Sequence, residues 1–240
     1  MNPELPMNAI ILCGGLSTRL GEITKQIPKI LLEIGPHSVL DWQIMQLKAA
    51  GVRRVVLAAG HLAQVLEANA GNMRYGVELL YAVEPKKLGT GGAIKHSLKY
   101  VPEPAEPTFI LNGDILTTID FQDMAAQLQP LSQGIILGTR VDDASALGTL
   151  DFDVDKKLLA FKEKEGKAVS AVINGGMYLF TPAASALFPD EDVFSIEYEV
   201  FPHMKELYVY VSDKPWIDIG VPERLAWARE NWQTIMSHSL

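Results

Sequence analysis

The sequence predicts an α/β fold: a doubly wound, mostly parallel sheet whose second half is partly antiparallel. Three observations predict it. Through the first 130 residues, β-branched apolar runs alternate with stretches of helical periodicity, and glycine clusters sit between strand and helix at 14–15 and 89–92. After residue 130, strand-like runs follow one another with short links.

The first strand spans 8–13 and runs straight into the loop Gly14-Gly15-Leu16-Ser17-Thr18-Arg19. A helix is expected over 40–50, stopped by Gly51, followed by a β-branched strand at 52–59 suited to a buried central position. Helical 62–70 and the strand 77–83 repeat the unit. The second glycine cluster leads a helix over 93–100, and the proline-rich link 102–107 feeds a strand at 108–111 that ends in Asn112-Gly113-Asp114. Further strands are expected at 134–140, 149–153, 158–161 and 177–180. A helix over 222–232 closes the chain, with Pro222 in the first turn, where a missing amide does no harm. At 240 residues, near the size at which one core stops growing, a single domain over 1–240 is expected, with a change of character near residue 130.

Composition narrows the function. With 48% apolar and 21% charged residues the chain matches soluble globular proteins. Its longest apolar stretches, 9–13 and 55–59, fall far short of the roughly 20 residues of a bilayer-spanning helix. Residues 1–7 carry an acid and two prolines rather than a secretory signal, so a cytoplasmic protein with no membrane partner is expected. The net charge of −8 argues against general nucleic-acid binding, which depends on neutralising phosphates. One cysteine, Cys13, excludes an internal disulfide, and with five scattered histidines it leaves no thiolate-rich metal site. Any anion site must therefore be a local basic cluster.

Ligands of open α/β sheets bind beyond the carboxyl ends of the strands, where loop amides and helix starts converge. The loop after the first strand is the first candidate. Gly14 and Gly15 let backbone approach a phosphate, Ser17 and Thr18 offer hydroxyl donors, and Arg19 offers a planar cationic fork, with Lys25 and Lys29 downstream. The loop matches neither the P-loop nor the dinucleotide fingerprint, and alone it also reads as an ordinary strand-to-helix turn. Asn112-Gly113-Asp114 is likewise both turn chemistry and a carboxylate at a strand end. Asp218 is more informative, because it lies between Ile217 and Ile219, where a carboxylate is costly unless a cation, metal or helix amide satisfies it. The charged stretch 162–167 reads by default as a solvated hairpin, and no histidine shows ligand spacing.

Taken in order, several segments resemble the motifs of the sugar-phosphate nucleotidyltransferase family over nearly the whole chain. They are Leu12-Cys13-Gly14-Gly15-Leu16-Ser17-Thr18-Arg19-Leu20, Ile27-Pro28-Lys29, Glu84, Leu88-Gly89-Thr90-Gly91-Gly92-Ala93 and Leu111-Asn112-Gly113-Asp114. Phe161-Lys162-Glu163-Lys164, Asn174-Gly175-Gly176-Met177-Tyr178 and Trp216-Ile217-Asp218-Ile219-Gly220 follow. The resemblance implies a Rossmann-like, GT-A-like fold, with about 1–130 binding the nucleotide and about 131–240 the sugar phosphate. It implies that Arg19 grips the triphosphate and Lys29 meets the reacting phosphates as the catalytic pair. Cys13, Gly14, Gly15, Ser17 and Thr18 would line the nucleotide, and Gly89, Thr90, Gly91 and Gly92 would contact the base. Glu84 would stand near the sugar or base. Asn112, Gly113, Glu163, Lys164, Asn174, Gly175 and Glu197 would form the sugar-phosphate side, Glu163 meeting hydroxyls and Lys164 the phosphate. Asp114 and Asp218 would be the two carboxylates for Mg2+.

The implied activity joins a nucleoside triphosphate to a sugar 1-phosphate and releases pyrophosphate. A phosphate monoester with a second pKa of about 6 is already nucleophilic at neutral pH, so no general base is required. Segments 88–94, 174–180 and 194–197 are most similar to the branch using GTP with D-glycero-α-D-manno-heptose 1-phosphate, mannose 1-phosphate being next. A UTP-using glucose-1-phosphate uridylyltransferase and a catalytically silent nucleotide-sugar-binding regulator are the alternatives, and the presence of Arg19, Lys29, Asp114 and Asp218 disfavours the second. The chain departs from the family pattern at Leu16 and Ser17, often glycine, and at Ile30-Leu31, where a second proline is frequent. These changes leave the charges in place and bear on loop geometry. Association into a homo-oligomer is left open.

Overall fold

A computed structural model of the chain describes residues 7–102, 106–145, 147–162 and 169–237. β1 (Asn8–Leu12) leads through two 3-10 turns, Thr18–Thr24 and Lys29–Leu31, and a small hairpin, β2 (Glu33–Ile34) and β3 (His37–Ser38), into α1 (Val39–Ala49). Ser38 Oγ accepts from Asp41 N while Asp41 Oδ2 accepts from Ser38 N, a capping box that fixes where α1 begins. Gly51, at φ 94°, supplies the turn out of the helix. Then come β4 (Arg54–Ala59), α2 (Ala63–Ala70), β5 (Met73–Arg74), β6 (Val77–Val83), α3 (Gly89–Leu98), β7 (Thr108–Asn112), β8 (Ile115–Thr117) and α4 (Phe121–Ala126). The second half holds β9 (Gly134–Val141), β10 (Thr149–Phe152), β11 (Leu158–Lys162), β12 (Ala171–Phe180), α5 (Pro182–Ser185) and α6 (Ile196–Glu199). β13 (Leu207–Ser212), β14 (Trp216–Asp218), α7 (Pro222–Glu230) and α8 (Trp232–Met236) complete it.

Among the described residues ten strands form one sheet, ordered β11-β10-β12-β7-β1-β4-β6-β5, with β9 on β12 and β13 on β9. β7, β1, β4 and β6 run parallel. The second half is antiparallel at β12–β7, β12–β9 and β10–β11, as expected, whereas β13 lies parallel to β9. From β1 the chain steps outward through β4 to β6, then returns to place β7 on the other side of β1. The two neighbours therefore end at a topological switch point, the place where such sheets take ligands. There Leu12 O accepts from Gly113 N at 2.9 Å, and a side chain on Gly113 would meet that same oxygen at 2.8 Å. Only glycine lets the two strand ends lie this close.

Alternation along the strands separates two apolar cores. Ile11, Leu57 and Leu111 share one with Ile44 of α1, Leu66 of α2, Met124 of α4 and Leu225 of α7. Ile10, Val56 and Ile110 share the other with Ile94 of α3, Ala184 of α5 and Ile196 of α6. Helices on both faces make the sheet doubly wound, as predicted.

Most boundaries fall within two residues of expectation, and three differences have a clear physical reason or consequence. α3 begins at Gly89 rather than 93, so the glycine cluster is its first turn. The reason is close packing: side chains on Gly89, Gly91 and Gly92 would fall 2.5 Å from Phe194 O, 2.2 Å from the Phe194 ring and 2.0 Å from Asp192 O. β12 begins at Ala171 rather than 177, with a break in register between Asn174 and Tyr178, where Gly176 adopts φ 70°. The closing helix is two pieces, α7 and α8, divided at Asn231.

Candidate active site

The switch point gathers charges that are far apart in sequence. β14 pairs antiparallel with β8, setting Asp218 opposite Ile115, and Ile219 N donates to Asp114 O at 2.9 Å. The carboxylates of Asp114 and Asp218 therefore leave neighbouring strand ends. Lys29, placed by the 3-10 turn after Pro28, donates from Nζ to Asp114 Oδ2 at 2.5 Å. Asp218 Oδ1 accepts from Gly220 N at 2.5 Å, and Arg224, in the first turns of α7, donates to Asp218 Oδ2 at 2.8 Å and to Asp218 O at 2.5 Å. The place a Gly220 side chain would occupy is 2.7 Å from Asp218 Oδ1, 2.9 Å from Arg19 Nη2 and 3.5 Å from Asp114 Oδ2. Arg19, Asp114 and Asp218 thus converge around one glycine, with Lys29 on the Asp114 side. The buried-carboxylate argument for Asp218 is met by Arg224, a residue the motif reading does not single out. Among the described residues no third His, Cys, Asp or Glu joins the two carboxylates.

The loop after β1 is held at its start and turned at its end. Cys13 N and Sγ both donate to Ala58 O, at 3.0 and 3.2 Å. Gly14 stands back to back with Gly60: a side chain on Gly14 would meet Glu84 Oε1 at 3.0 Å and Gly60 N at 3.1 Å. Gly15 has nothing within 4 Å of its missing side chain among the described residues. Ser17 takes the left-handed conformation, φ 50°, and its carbonyl accepts from Leu20 N and Thr24 Oγ1. Thr18 is exposed, and Lys25 pairs with Glu22 at the surface.

These elements open a cleft of about 480 Å³, whose walls among the described residues include Lys29 and Asp114 but not Thr18, Arg19 or Asp218. Cys13 to Ser17 form one side, Asn112, Gly113, Asp114 and Lys29 another. The end of β6 and the start of α3 supply Glu84, Lys86, Lys87, Gly89 and Thr90. Burial pushes the Glu84 carboxyl above its ordinary value, an effect that the Leu88 amide and His96 reduce. Burial, and then Glu84, push the Cys13 thiol far up.

Gly91 and Gly92 do not line the cleft. Both amides donate to Phe194 O, at 3.1 and 3.3 Å, so this helix start is capped by chain rather than left free for an anion. Thr90 joins the cleft to the segment 195–197: its Oγ1 donates to Glu197 Oε2 at 2.8 Å and accepts from Ile196 N at 3.0 Å, while Ser195 Oγ donates to the same Glu197 oxygen. Asn174 Nδ2 donates to the hydroxyl of buried Tyr178, and its Oδ1 accepts from Gly176 N. Gly176 would place a side chain 2.6 Å from Asn112 Nδ2, and Trp216 Nε1 donates to Gly175 O at 2.9 Å. Asn174, Gly175 and Glu197 therefore stand behind Asn112 and Thr90 rather than on the cleft wall. Glu163 and Lys164 lie outside the described residues. Besides Arg224, the motif reading misses Gln43, Gly60 and Tyr178. Only Gly60, just after a β-branched strand, leaves a signal, that of a further strand-end glycine.

A sheet with this switch point, and with anion-handling groups collected at it, defines the class of nucleotide-binding α/β proteins. Within that class the chain belongs to the nucleotidyl transferase family, whose model matches residues 8–234. It is 35% identical over 219 residues to the D-glycero-alpha-D-manno-heptose 1-phosphate guanylyltransferase of Campylobacter jejuni subsp. jejuni serotype O:2, covering 90% of this chain and 96% of that protein. It is 35% identical over 224 residues to the mannose-1-phosphate guanylyltransferase catalytic subunit beta of Danio rerio, covering 90% of this chain but only 62% of that one. The crystal structure of HddC from Yersinia pseudotuberculosis complexed with GMP-PN superposes with a TM-score of 0.80 at 29% identity, over 94% of this chain and 99% of that one. The expected Rossmann-like nucleotidyltransferase fold is the one observed. No helix among the described residues is long and apolar enough to cross a membrane.

Proposed function

We propose that the chain transfers a guanylyl group from GTP to a manno-configured sugar 1-phosphate, heptose before mannose, with release of pyrophosphate. The convergence of Arg19, Lys29, Asp114 and Asp218 where β1 and β7 part carries this reading. The relatives named for guanylyl transfer and the HddC complex with GMP-PN support the base. Heptose is favoured because the match spans nearly all of the Campylobacter protein.

Glu84 supports guanine on chemical grounds. An ionised carboxylate only accepts hydrogen bonds, and guanine presents two adjacent N–H donors on one edge, where uracil presents alternating acceptors and a donor. Glu84 follows β6 and Asp114 follows β7, three strand spacings apart across the sheet, about 14 Å at roughly 4.8 Å per strand. That span leaves room for a base and ribose between them. Gly15, with open space at its missing side chain, leaves room for the phosphates.

Asp114 and Asp218 present hard oxygen donors around one point, a donor set that fits Mg2+, which is commonly held by one or two carboxylates plus substrate phosphates. When bound, the ion supplies positive charge to the phosphate oxygens. Lys29 then offers its ammonium to the α-phosphate and Arg19 its guanidinium to the departing pyrophosphate. The dianionic oxygen of the sugar phosphate attacks the α-phosphorus in line, the bond to pyrophosphate breaks, and no side chain takes a proton. Asn112 bounds the sugar side, with Asn174 and Gly175 behind it, and Thr90 bounds the base side, with Glu197 behind it. Glu163 and Lys164 are assigned to sugar hydroxyls and phosphate on the resemblance. We take 1–240 as one nucleotidyltransferase domain working in the cytosol, where nucleoside triphosphates are made.

Pyrophosphate release from four nucleoside triphosphates against heptose, mannose and glucose 1-phosphates tests the reading. GTP with heptose or mannose 1-phosphate is expected to exceed every other pair by about tenfold or more in kcat/KM. Turnover confined to UTP with glucose 1-phosphate would replace both substrates. Binding of a nucleotide sugar without turnover of any pair would leave a regulator.

A further inference from the structure

Two buried glutamines interrupt the apolar face of α1. Gln43, 1% exposed, sits in a helix with Leu40, Ile44 and Leu47, all buried. Its amide spends both protons on one turn: Nε2 donates to Asn112 O at 2.9 Å and to Ile115 O at 2.9 Å, the two carbonyls that bracket Gly113 and Asp114. Its Oε1, equally buried, has no hydrogen-bond partner among the described residues. An unpaired buried carbonyl lowers stability, and an apolar side chain of the same length would avoid that loss only by leaving Asn112 O and Ile115 O without these donors, so the amide serves the turn rather than the packing.

The turn that Gln43 grips carries the Asp114 carboxylate. From other sides Gly113 N donates to Leu12 O and Asp114 O accepts from Ile219 N, both at 2.9 Å. Gln46, one turn further along α1 and 8% exposed, donates from Nε2 to Thr117 O at 2.5 Å. The chemistry is the same, but its partner is the far end of β8, away from Asp114.

We propose that Gln43 is a positioning residue whose carboxamide fixes the backbone of the 112–115 turn, so that the Asp114 carboxylate faces Asp218 to take a divalent cation. The inference rests on the reading of Asp114 and Asp218 as the metal carboxylates. Partners that orient ligating groups commonly contribute 10–100-fold to metal affinity or activity.

Mn2+ serves as a paramagnetic probe, titrated by EPR into the full chain with a non-hydrolysable GTP analogue present. Gln43→Met is expected to weaken Mn2+ binding about tenfold or more and to lower kcat alongside, with the KM for sugar phosphate changed by less than about twofold. Gln46→Met removes an equivalent bond from the same helix and is expected to hold Mn2+ within about twofold of the parent. Unchanged Mn2+ binding in Gln43→Met, or equal weakening in both variants, overturns the assignment in favour of a structural role. Should Gln43→Met not fold, Gln43→Asn keeps the amide, shortens its reach by one methylene and carries the same comparison. If the parent itself binds no Mn2+ with the analogue, the carboxylate reading fails, and this inference with it. That outcome is distinct because parent and variants then behave alike.

Discussion

Lys29 Nζ stands 2.5 Å from Asp114 Oδ2, and each of the two side chains is 19% exposed. This pair ties the segment after β1 to the turn after β7 at the switch point. Lys29→Met is expected to lower kcat by about 10²–10³, the size seen when one preorganised charge donor is removed. It also leaves a largely buried carboxylate without its cation, a cost of about 1–3 kcal/mol. Steady-state pyrophosphate release and urea denaturation read the two effects separately.

Ser17 at φ 50° occupies a conformation that costs a side-chain-bearing residue roughly 1–2 kcal/mol. Ser17→Gly is expected to raise stability by about 0.5–1 kcal/mol once the added chain freedom is subtracted. A lower urea midpoint would contradict that placement of the loop.

Gly92→Ala is expected to act in the opposite direction. Its methyl group would fall 2.0 Å from Asp192 O, and that backbone is bound into α3 through Phe194. A loss of about 2 kcal/mol or more is expected in the same denaturation measurement.

Glu84 sets stability against selectivity. Burial raises its carboxyl in the fold above the ordinary 4.5, so the native chain holds its proton to higher pH than the unfolded chain does. The resulting contribution is fully present below 4.5 and is lost as pH rises through the folded value. Glu84→Gln removes that loss. The variant is expected to be more stable than the parent at pH 7, the gap closing as pH falls below 4.5. Its preference for GTP over the other triphosphates is expected to drop about tenfold, because an amide presents a donor where the base edge needs two acceptors.

Cys13 lines the cleft but is expected to be inert. Burial and then Glu84 hold its thiol protonated, and Sγ donates to Ala58 O at 3.2 Å. Since the thiolate is the reactive form, alkylation by iodoacetamide at pH 8 is expected to be about a hundredfold slower in the native chain than in urea. Comparable rates in both states would contradict this partly buried, hydrogen-bonded placement.

The parallel half of the fold is legible in the sequence because buried central strands are written as continuous β-branched runs, as at Arg54–Ala59, and glycines mark their exits. Arg19, Lys29, Asp114 and Asp218 are legible only as fragments. Their meeting depends on β14 pairing with β8, a contact between three-residue strands that no local pattern announces. The start of α3 is misplaced by reading Gly89 to Gly92 as a loop. Those glycines answer to the close approach of Phe194, which is distant in sequence. Gln43 and Arg224 are invisible for a related reason: a polar residue on a helix reads as solvent-facing, and only the packed structure shows which carbonyl or carboxylate it meets.

Asp218→Asn tests the central claim most directly. The change keeps the side chain's size but removes the charge of a carboxylate that is 16% exposed and paired with Arg224, so the fold is expected to lose about 1–3 kcal/mol and remain folded. With saturating GTP, sugar 1-phosphate and Mg2+, pyrophosphate release by the folded variant is expected to fall at least about a hundredfold. Release at the parental rate would remove Asp218, and with it the paired-carboxylate site, from the chemistry.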